Sequence, residues 1–430
     1  MKFYSTRKSC EEVNSIQAVL AGLAPDGGLY IPSNFPNTSF IGLAPETPFV
    51  ERAKEILWPF FSADLDRGSF NSICEKSFDF PVPLRFRNQQ EAVLELFNGP
   101  TLAFKDFGAR FLAEFLERFG ETQEKPVTVL VATSGDTGGA VAAAFFNRPG
   151  IRVFVLFPKG RVSDRQRAQL TCWGKNVFSY AVNGTFDDCQ KLVKAAFSEV
   201  SICAAHRLTT ANSINLGRVL PQIVYHSHAA SIFYHKTGEK PVYIVPTGNL
   251  GNTLAAFWAK EMGAPIGKIV AAVNENRAIP DALISRKWTP RHAIQTLANA
   301  MDVGNPSNME RLIHLFGNIE SLSQKIQAFS VSDSSIQETI RNSFFGKGEI
   351  LCPHTAVAEY VRTKYFANDP AIIVSTASPA KFETIVEPLI GKPVEIPPKL
   401  LELLSKPLHE KVIDPDLSNL DWDDFIFTKN

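Results

Sequence analysis

The chain has 430 residues, 45% hydrophobic and 20% charged, enough for roughly two or three packed domains and too apolar for a disordered protein. Its 44 Lys and Arg balance 44 Asp and Glu, and no dense basic tract occurs. That argues against a nucleic-acid partner, whose phosphates call for a concentrated positive face. The six cysteines, Cys10, Cys74, Cys172, Cys189, Cys203 and Cys352, form no Cys-x-x-Cys pair and no metal-type spacing. The start "MKFYSTRKSCEEVN" has no apolar signal core, and no run approaches the ~20 apolar residues of a membrane span. The reading is a cytoplasmic protein with free thiols, no metal and no membrane partner.

In chain order, residues 1–92 read as a lead-in unit. Pro-rich turns ("IPSNFPNTSF") accompany one helical stretch ("PFVERAKEILWPFF") and "FDFPVPLRF". The segment "FNGPTLAFKDFGARF", Phe97 to Phe111, then sets a lysine between two phenylalanines. A lysine in apolar surroundings either reaches out to water or has its pKa lowered. The lowered form is what a Schiff-base lysine needs, since only the neutral amine attacks a carbonyl. The plain alternative is an amphipathic helix with Lys105 on its wet face.

From residue 93 the pattern becomes apolar runs alternating with helices. "PVTVLVAT" (126–133), "IRVFVLFP" (151–158), "NVFSYAVNG", "PVYIVPT" (241–247), "KIVAAVN" (268–274) and "AIIVSTAS" (371–378) read as buried strands. "AVAAAFF", "SDRQRAQL" with Ser163 as N-cap, and "TFDDCQKLVKAAF" read as helices between them. Continuous apolar strands separated by helices indicate parallel sheets covered on both faces. The fold class is therefore α/β, with two parallel-sheet domains, 93–215 and 216–400, and a C-terminal tail, 401–430. Ligands of such sheets sit beyond the carboxyl ends of the strands.

Several loops at those ends carry chemistry. "TSGDTGG" (133–139) offers Ser134, Thr137 and exposed N–H groups to a carboxylate or phosphate, or else caps a helix. "ANSINLGR" (211–218) supplies Asn212, Ser213, Asn215 and Arg218, an anion clamp if the turn brings the arginine round. "VPTGNLGNTLAAFWA" (245–259) ends a strand in two glycines and two asparagines before a helix near Thr253. Such a loop points N–H groups inward at a helix N-terminus and can cradle a phosphate. It is neither a Walker loop nor a dinucleotide fingerprint, and a plain strand-to-helix turn is its alternative. "STASPAKF" (375–382) brings Ser375, Thr376 and Ser378 to a strand end. A hydroxyl there can hydrogen-bond a heterocyclic nitrogen, or cap the helix beginning near Pro379. The histidines of "HSH", His226 and His228, stand two apart and so cannot share one helix face as ligands. They read as surface or structural. An amine, a phosphate cradle and a neutral hydroxyl are the parts pyridoxal 5'-phosphate requires.

"FNGPTLAFKDFGARF", "TSGDTGGA", "ANSINLGR", "PTGNLGN", "ANAMDVGNPSN" and "STASPAKF", in that order, closely resemble the threonine synthases. The resemblance is to the long form, with an N-terminal segment like "AVLAGLAPDGGLYIP", and runs from about residue 1 to about residue 400. It implies the second fold type of pyridoxal phosphate enzymes, with the cofactor in a cleft between two α/β domains. It assigns the cofactor's aldehyde to Lys105 and its phosphate to the backbone of Gly248, Asn249, Leu250, Gly251 and Asn252. Thr376 would face the pyridine nitrogen, and Asp136 falls where relatives often carry an asparagine near the 3'-hydroxyl. Ser134, Thr137, Asn212, Ser213 and Arg218 would receive the substrate's phosphate and carboxylate. Position 250, often phenylalanine in near relatives, is leucine here.

The implied reaction converts O-phospho-L-homoserine and water to L-threonine and phosphate, the last step of threonine biosynthesis. The competing readings are a serine or threonine dehydratase of the same fold type and a non-catalytic relative that binds the cofactor or phosphorylated amino acids. Nothing in the sequence decides between monomer and homodimer.

Overall fold

The computed structural model describes residues 1–38, 44–120 and 126–422. Its chain builds two large sheets. The first has six strands in the order Ile326–Ser330, Ile269–Val273, Val242–Pro246, Ala371–Ser375, Glu91–Glu95, Leu84–Phe86. All its neighbours are parallel except the last pair, which is antiparallel. The second sheet is wholly parallel, in the order Lys411–Ile413, Val177–Val182, Ile151–Pro158, Val127–Ala132, Leu208–Thr210. A small antiparallel pair, Phe3–Ser5 with Tyr30–Pro32, belongs to the N-terminal region.

The central strands are buried along their whole length because helices cover both faces. Every residue of Val127–Ala132 and Ile151–Pro158 is buried. The helices between them start where the sequence places capping side chains. Ser163 and Thr185 each accept from the N–H three residues on and close a capping box.

Contiguous domain borders do not follow these sheets. A border at 92/93 cuts the strand Glu91–Glu95, which pairs with Ala371–Ser375 nearly three hundred residues later. The following helix, Lys105–Gly120, instead packs on the helix Asp136–Phe145 beside the five-stranded sheet. The loop ahead of Lys105 therefore crosses from one sheet to the other. Lys411–Ile413 in the tail returns to the edge of the five-stranded sheet.

Nor does the N-terminal region have a core of its own. Phe60, Phe61, Phe70 and Phe78 lie in one continuous apolar cluster with Phe107, Phe111 and Phe115 of the lysine helix. Phe107 meets Phe80 and Tyr225 edge-on, with ring centroids 4.8 and 5.0 Å apart. These aromatic contacts hold the base of the lysine helix rigidly.

His226 and His228 are both buried in the helix Gln222–Thr237, not on the surface. His226 Nε2 lies 2.8 Å from Asn252 Oδ1, and His228 Nε2 lies 3.2 Å from the Val82 carbonyl. Their roles are structural. Among the described residues no cluster of side chains suits a metal ion, and no helix is long and apolar enough to cross a membrane.

Candidate active site

The carboxyl ends of both sheets open on one pocket. Lys105, Ser134, Asp136, Thr137, Asn212, Ser213, Arg218, Gly248, Asn249, Leu250, Gly251, Asn252 and Thr376 all line it. The resemblance names each of these, and the fold brings them together from five separate segments.

Lys105 opens its helix immediately after a tight approach. Leu102 takes a left-handed conformation at φ 58°, a backbone state that costs a non-glycine residue energy and is often kept at functional sites. The Phe104 N–H donates to the Thr376 carbonyl at 2.8 Å, and the Ser378 N–H donates to the Leu102 carbonyl at 3.0 Å. These two bonds bring Lys105 and Thr376, 271 positions apart, to the same pocket. Asp106 braces the loop from within, accepting from the Thr101 N–H at 2.9 Å and the Thr101 hydroxyl at 2.6 Å. Gly99 is required there, because a Cβ would lie 2.4 Å from the Asp106 carboxylate. Lys105 retains accessible surface in the pocket it lines. Even so it is enclosed deeply enough that burial, then repulsion from Arg218, lowers its pKa to about 8, against the pull of Asp136. Its Nζ lies 4.5 Å from the Phe104 ring centroid. The wet-face alternative for this residue does not hold.

The loop Thr247–Asn252 forms the cradle. Leu250 is left-handed at φ 62°, and the first backbone bond of the next helix runs from the Leu254 N–H to the Leu250 carbonyl at 2.8 Å. The amides before Leu254 thus lie ahead of the helical ladder, at its positive end. Gly248 has no room for a side chain, since a Cβ would sit 2.7 Å from Met301 Cα. Asn252 Oδ1 accepts from the Tyr225 hydroxyl at 2.9 Å and faces His226 Nε2. That fixes its amide so that Nδ2, a buried donor without a partner, is left over. Asn249 is held by Ser213 Oγ at 2.6 Å and by the Ser307 N–H at 2.6 Å.

The turn after Val127–Ala132 is organised by Thr133. Its hydroxyl accepts from the N–H groups of Gly135 and Gly138 at 3.0 and 2.9 Å. Gly135 sits at φ 142°, where a side chain would meet Gln166. Asp136, next in line, accepts at Oδ1 from Lys381 Nζ at 2.7 Å and from Gln166 Nε2 at 3.1 Å. Burial pushes its carboxyl up, but Lys381, His354 and the hydrogen bonds hold it below the usual carboxylate range.

At the remaining wall, Asn212 Nδ2 donates to the Ala132 carbonyl at 2.9 Å. Arg218 is 2% exposed, its Nη1 bonded to the Ala211 carbonyl and its Nε buried without a partner. Burial lowers its pKa to about 10 against the attraction of Asp106. Asn215 departs from the group: it caps the helix Leu216–Val219 and donates to the Val19 carbonyl at 3.0 Å. Ser375 and Ser378 likewise turn to Thr355 and to the Ala380 N–H, leaving Thr376 as the pocket hydroxyl.

Two site residues escaped sequence reasoning. His354 lines the pocket and accepts the Ala300 N–H at Nε2, 3.1 Å away. Its ring therefore carries any single proton on Nδ1, which has no partner. Burial holds its pKa down at about 4, with Asp136 opposing and Lys381 and Lys105 assisting. Lys381 lay in plain view in "STASPAKF", but only its pairing with Asp136 marks it.

A low-pKa amine, a loop whose amides precede a helix N-terminus with an orphaned Asn252 side-chain donor, and a hydroxyl on a third strand end fit pyridoxal phosphate at its aldehyde, phosphate and ring. The family profile of pyridoxal-phosphate-dependent enzymes matches residues 92–375. Threonine synthase N-terminal and C-terminal profiles match residues 2–78 and 355–421. The chain is 37% identical to a threonine synthase of Buchnera aphidicola over 98% of both chains. It is similar to the crystal structure of the Escherichia coli threonine synthase, with a TM-score of 0.90, 36% identity and coverage of 97% of this chain and 98% of that one. A pyridoxal-phosphate-bound threonine synthase from Brucella melitensis aligns at a TM-score of 0.89 with 33% identity, over 97% of each chain. The chain belongs to the threonine synthase family, pyridoxal-phosphate-dependent lyases of the second fold type.

Proposed function

We propose that this chain converts O-phospho-L-homoserine and water to L-threonine and phosphate, with Lys105 as the catalytic amine. The observation that supports it most directly is the meeting of Lys105, the Gly248–Asn252 loop and the buried guanidinium of Arg218 in one pocket. When bound, the cofactor supplies an electron sink conjugated to the substrate's Cα.

The protein's own groups divide the remaining work. The amides of Gly248, Asn249, Leu250, Gly251 and Asn252 hold the cofactor phosphate, and Asn252 Nδ2 adds a donor. Thr376 presents a hydroxyl to the ring nitrogen, which steadies it without lending the full positive charge that a carboxylate partner would enforce. Asp136, paired with Lys381, would be the group nearest the cofactor's 3'-hydroxyl. Lys105, with its pKa near 8, is neutral in about one molecule in ten at pH 7. Its amine accepts the proton from Cα and then one from Cβ, and returns protons to Cγ and Cα. Arg218, Asn212, Ser213, Ser134 and Thr137 receive the substrate's phosphate and carboxylate, and keep the phosphate oriented as its bond to Cγ breaks. A dehydratase has no leaving phosphate and gives a buried arginine of this kind less to do.

The test is the visible absorption spectrum of the protein with added pyridoxal phosphate, beside Lys105→Ala. A band in the parent that the variant lacks is expected. No band in the parent, or the same band in both, refutes the assignment.

A further inference from the structure

Lys381 is 0% exposed, and its ammonium has two close partners, Asp136 Oδ1 at 2.7 Å and the Thr101 carbonyl at 2.9 Å. Its backbone is fixed from the opposite side of the cleft. The Lys381 carbonyl accepts from the Ser163 hydroxyl at 2.9 Å, and the Ala380 carbonyl accepts from Arg165 Nη1 at 2.7 Å. Removing two charges from water costs more than their mutual attraction usually returns. An ion pair this deep is therefore poorly explained by stability, and its place beside the pocket suggests another purpose.

The groups around Lys105 define that purpose. Arg218 acts against a charge on Lys105. His354 is held neutral, its Nε2 engaged by Ala300. The neighbouring Asp106 carboxylate is occupied by the Thr101 N–H and hydroxyl. Asp136 alone among these favours a charged Lys105, and Lys381 already occupies it. Asp136 and Lys105 line the same pocket, so a buried carboxylate relieved of Lys381 has the Lys105 ammonium at hand as its replacement partner.

We propose that Lys381 is a positioning residue: by holding the Asp136 carboxylate it keeps Asp136 from pairing with Lys105, and so leaves the Lys105 amine free to meet the cofactor aldehyde. The inference rests on the reading of Lys105 as the cofactor's amine and extends it. It also accounts for an aspartate where the resemblance leads one to expect asparagine, because the Asp–Lys pair supplies a neutral hydrogen-bonding unit as an amide would.

The experiment measures the rate at which the visible band returns when pyridoxal phosphate is added to cofactor-free protein, as a function of pH. Parent, Lys381→Met, Asp136→Asn and the double variant are compared. Lys381→Met is expected to move the midpoint of the rate profile upward by about one pH unit and to slow loading about tenfold at pH 7. The double variant, with neither charge, is expected to return to the parent midpoint, which a merely structural defect would not do. An unmoved midpoint in Lys381→Met, or a shift that persists in the double variant, overturns the proposal. If Lys381→Met does not fold, Asp136→Asn decides: its midpoint is expected at or below that of the parent, and a raised one overturns the proposal. A parent without any band overturns the assignment of Lys105 itself, and this proposal with it; a parent band with unmoved midpoints overturns this proposal alone.

Discussion

Arg218 illustrates what a single residue does in this site. Its Nη1 is tied to the Ala211 carbonyl and its Nε is buried beside Gly108 without a partner, while the residue lines the pocket as a buried cation. Arg218→Met should lower kcat/KM for O-phospho-L-homoserine by about a hundredfold, the ~3 kcal/mol of a charge-assisted hydrogen bond. The cofactor band should stay, because the variant leaves the cradle intact. Steady-state kinetics with a spectrum of the same sample checks both, and an unchanged kcat/KM contradicts the role. At this scale the sequence was informative where a residue type is chemically unusual for its setting. Lys105 between phenylalanines and the Gly-Asn loop at 248–252 were legible for that reason. Lys381 and His354 were not, because a lysine beside a Ser-Pro turn and a lone histidine after Cys-Pro look ordinary until distant segments fold against them.

The strand-to-helix turns are the elements that make the pocket, and each depends on a small residue or a hydroxyl. Gly248→Ala would drive a Cβ to 2.7 Å from the Met301 backbone, forcing the cradle to move. The expected result is cofactor affinity weakened at least about tenfold, measured by titrating apoprotein with pyridoxal phosphate; unchanged affinity contradicts the cradle. Thr133→Val keeps the shape of the side chain but leaves the Gly135 and Gly138 amides without their acceptor. A loss of about 1–3 kcal/mol in unfolding free energy is expected, read by denaturant titration. The six central strands were legible in the sequence because burial on both faces writes a largely apolar run, whereas Glu91–Glu95, Leu208–Thr210 and Ile326–Ser330, short or partly exposed, were not. The helix of the cradle begins at Gly251 rather than near Thr253, since a left-handed Leu250, not a capping side chain, starts it. The segment near Pro379 is only the 3-10 turn Pro379–Lys381. Pro379 and the Ser378 cap set its start, and the helix proper resumes at Glu383.

For the whole molecule, two sheets share one core with the N-terminal region, and strands cross between segments that sequence order separates. No local pattern reports that pairing, which is why contiguous domain borders fail at Glu91–Glu95. The shared core also fixes a pH response. Burial lowers the pKa of His226, His228 and His354 from the ordinary 6.5 to about 4. The unfolded chain binds their protons first, so stability present above pH 6.5 is lost as pH falls toward 4. Asp302, raised to about 7 by burial, and Asp106 and Glu383, also raised by burial, act the other way and reduce the loss. Unfolding free energy should fall by on the order of a few kcal/mol between pH 7 and pH 4.5. Urea titrations at the two pH values check this, and equal or greater stability at pH 4.5 contradicts it.

The most direct test of the function is to incubate the cofactor-loaded protein with O-phospho-L-homoserine and quantify phosphate and threonine together. The account predicts equal amounts of both, with neither formed by Lys105→Ala. Phosphate without threonine, a 2-oxo acid in its place, or unaltered turnover by Lys105→Ala would contradict it.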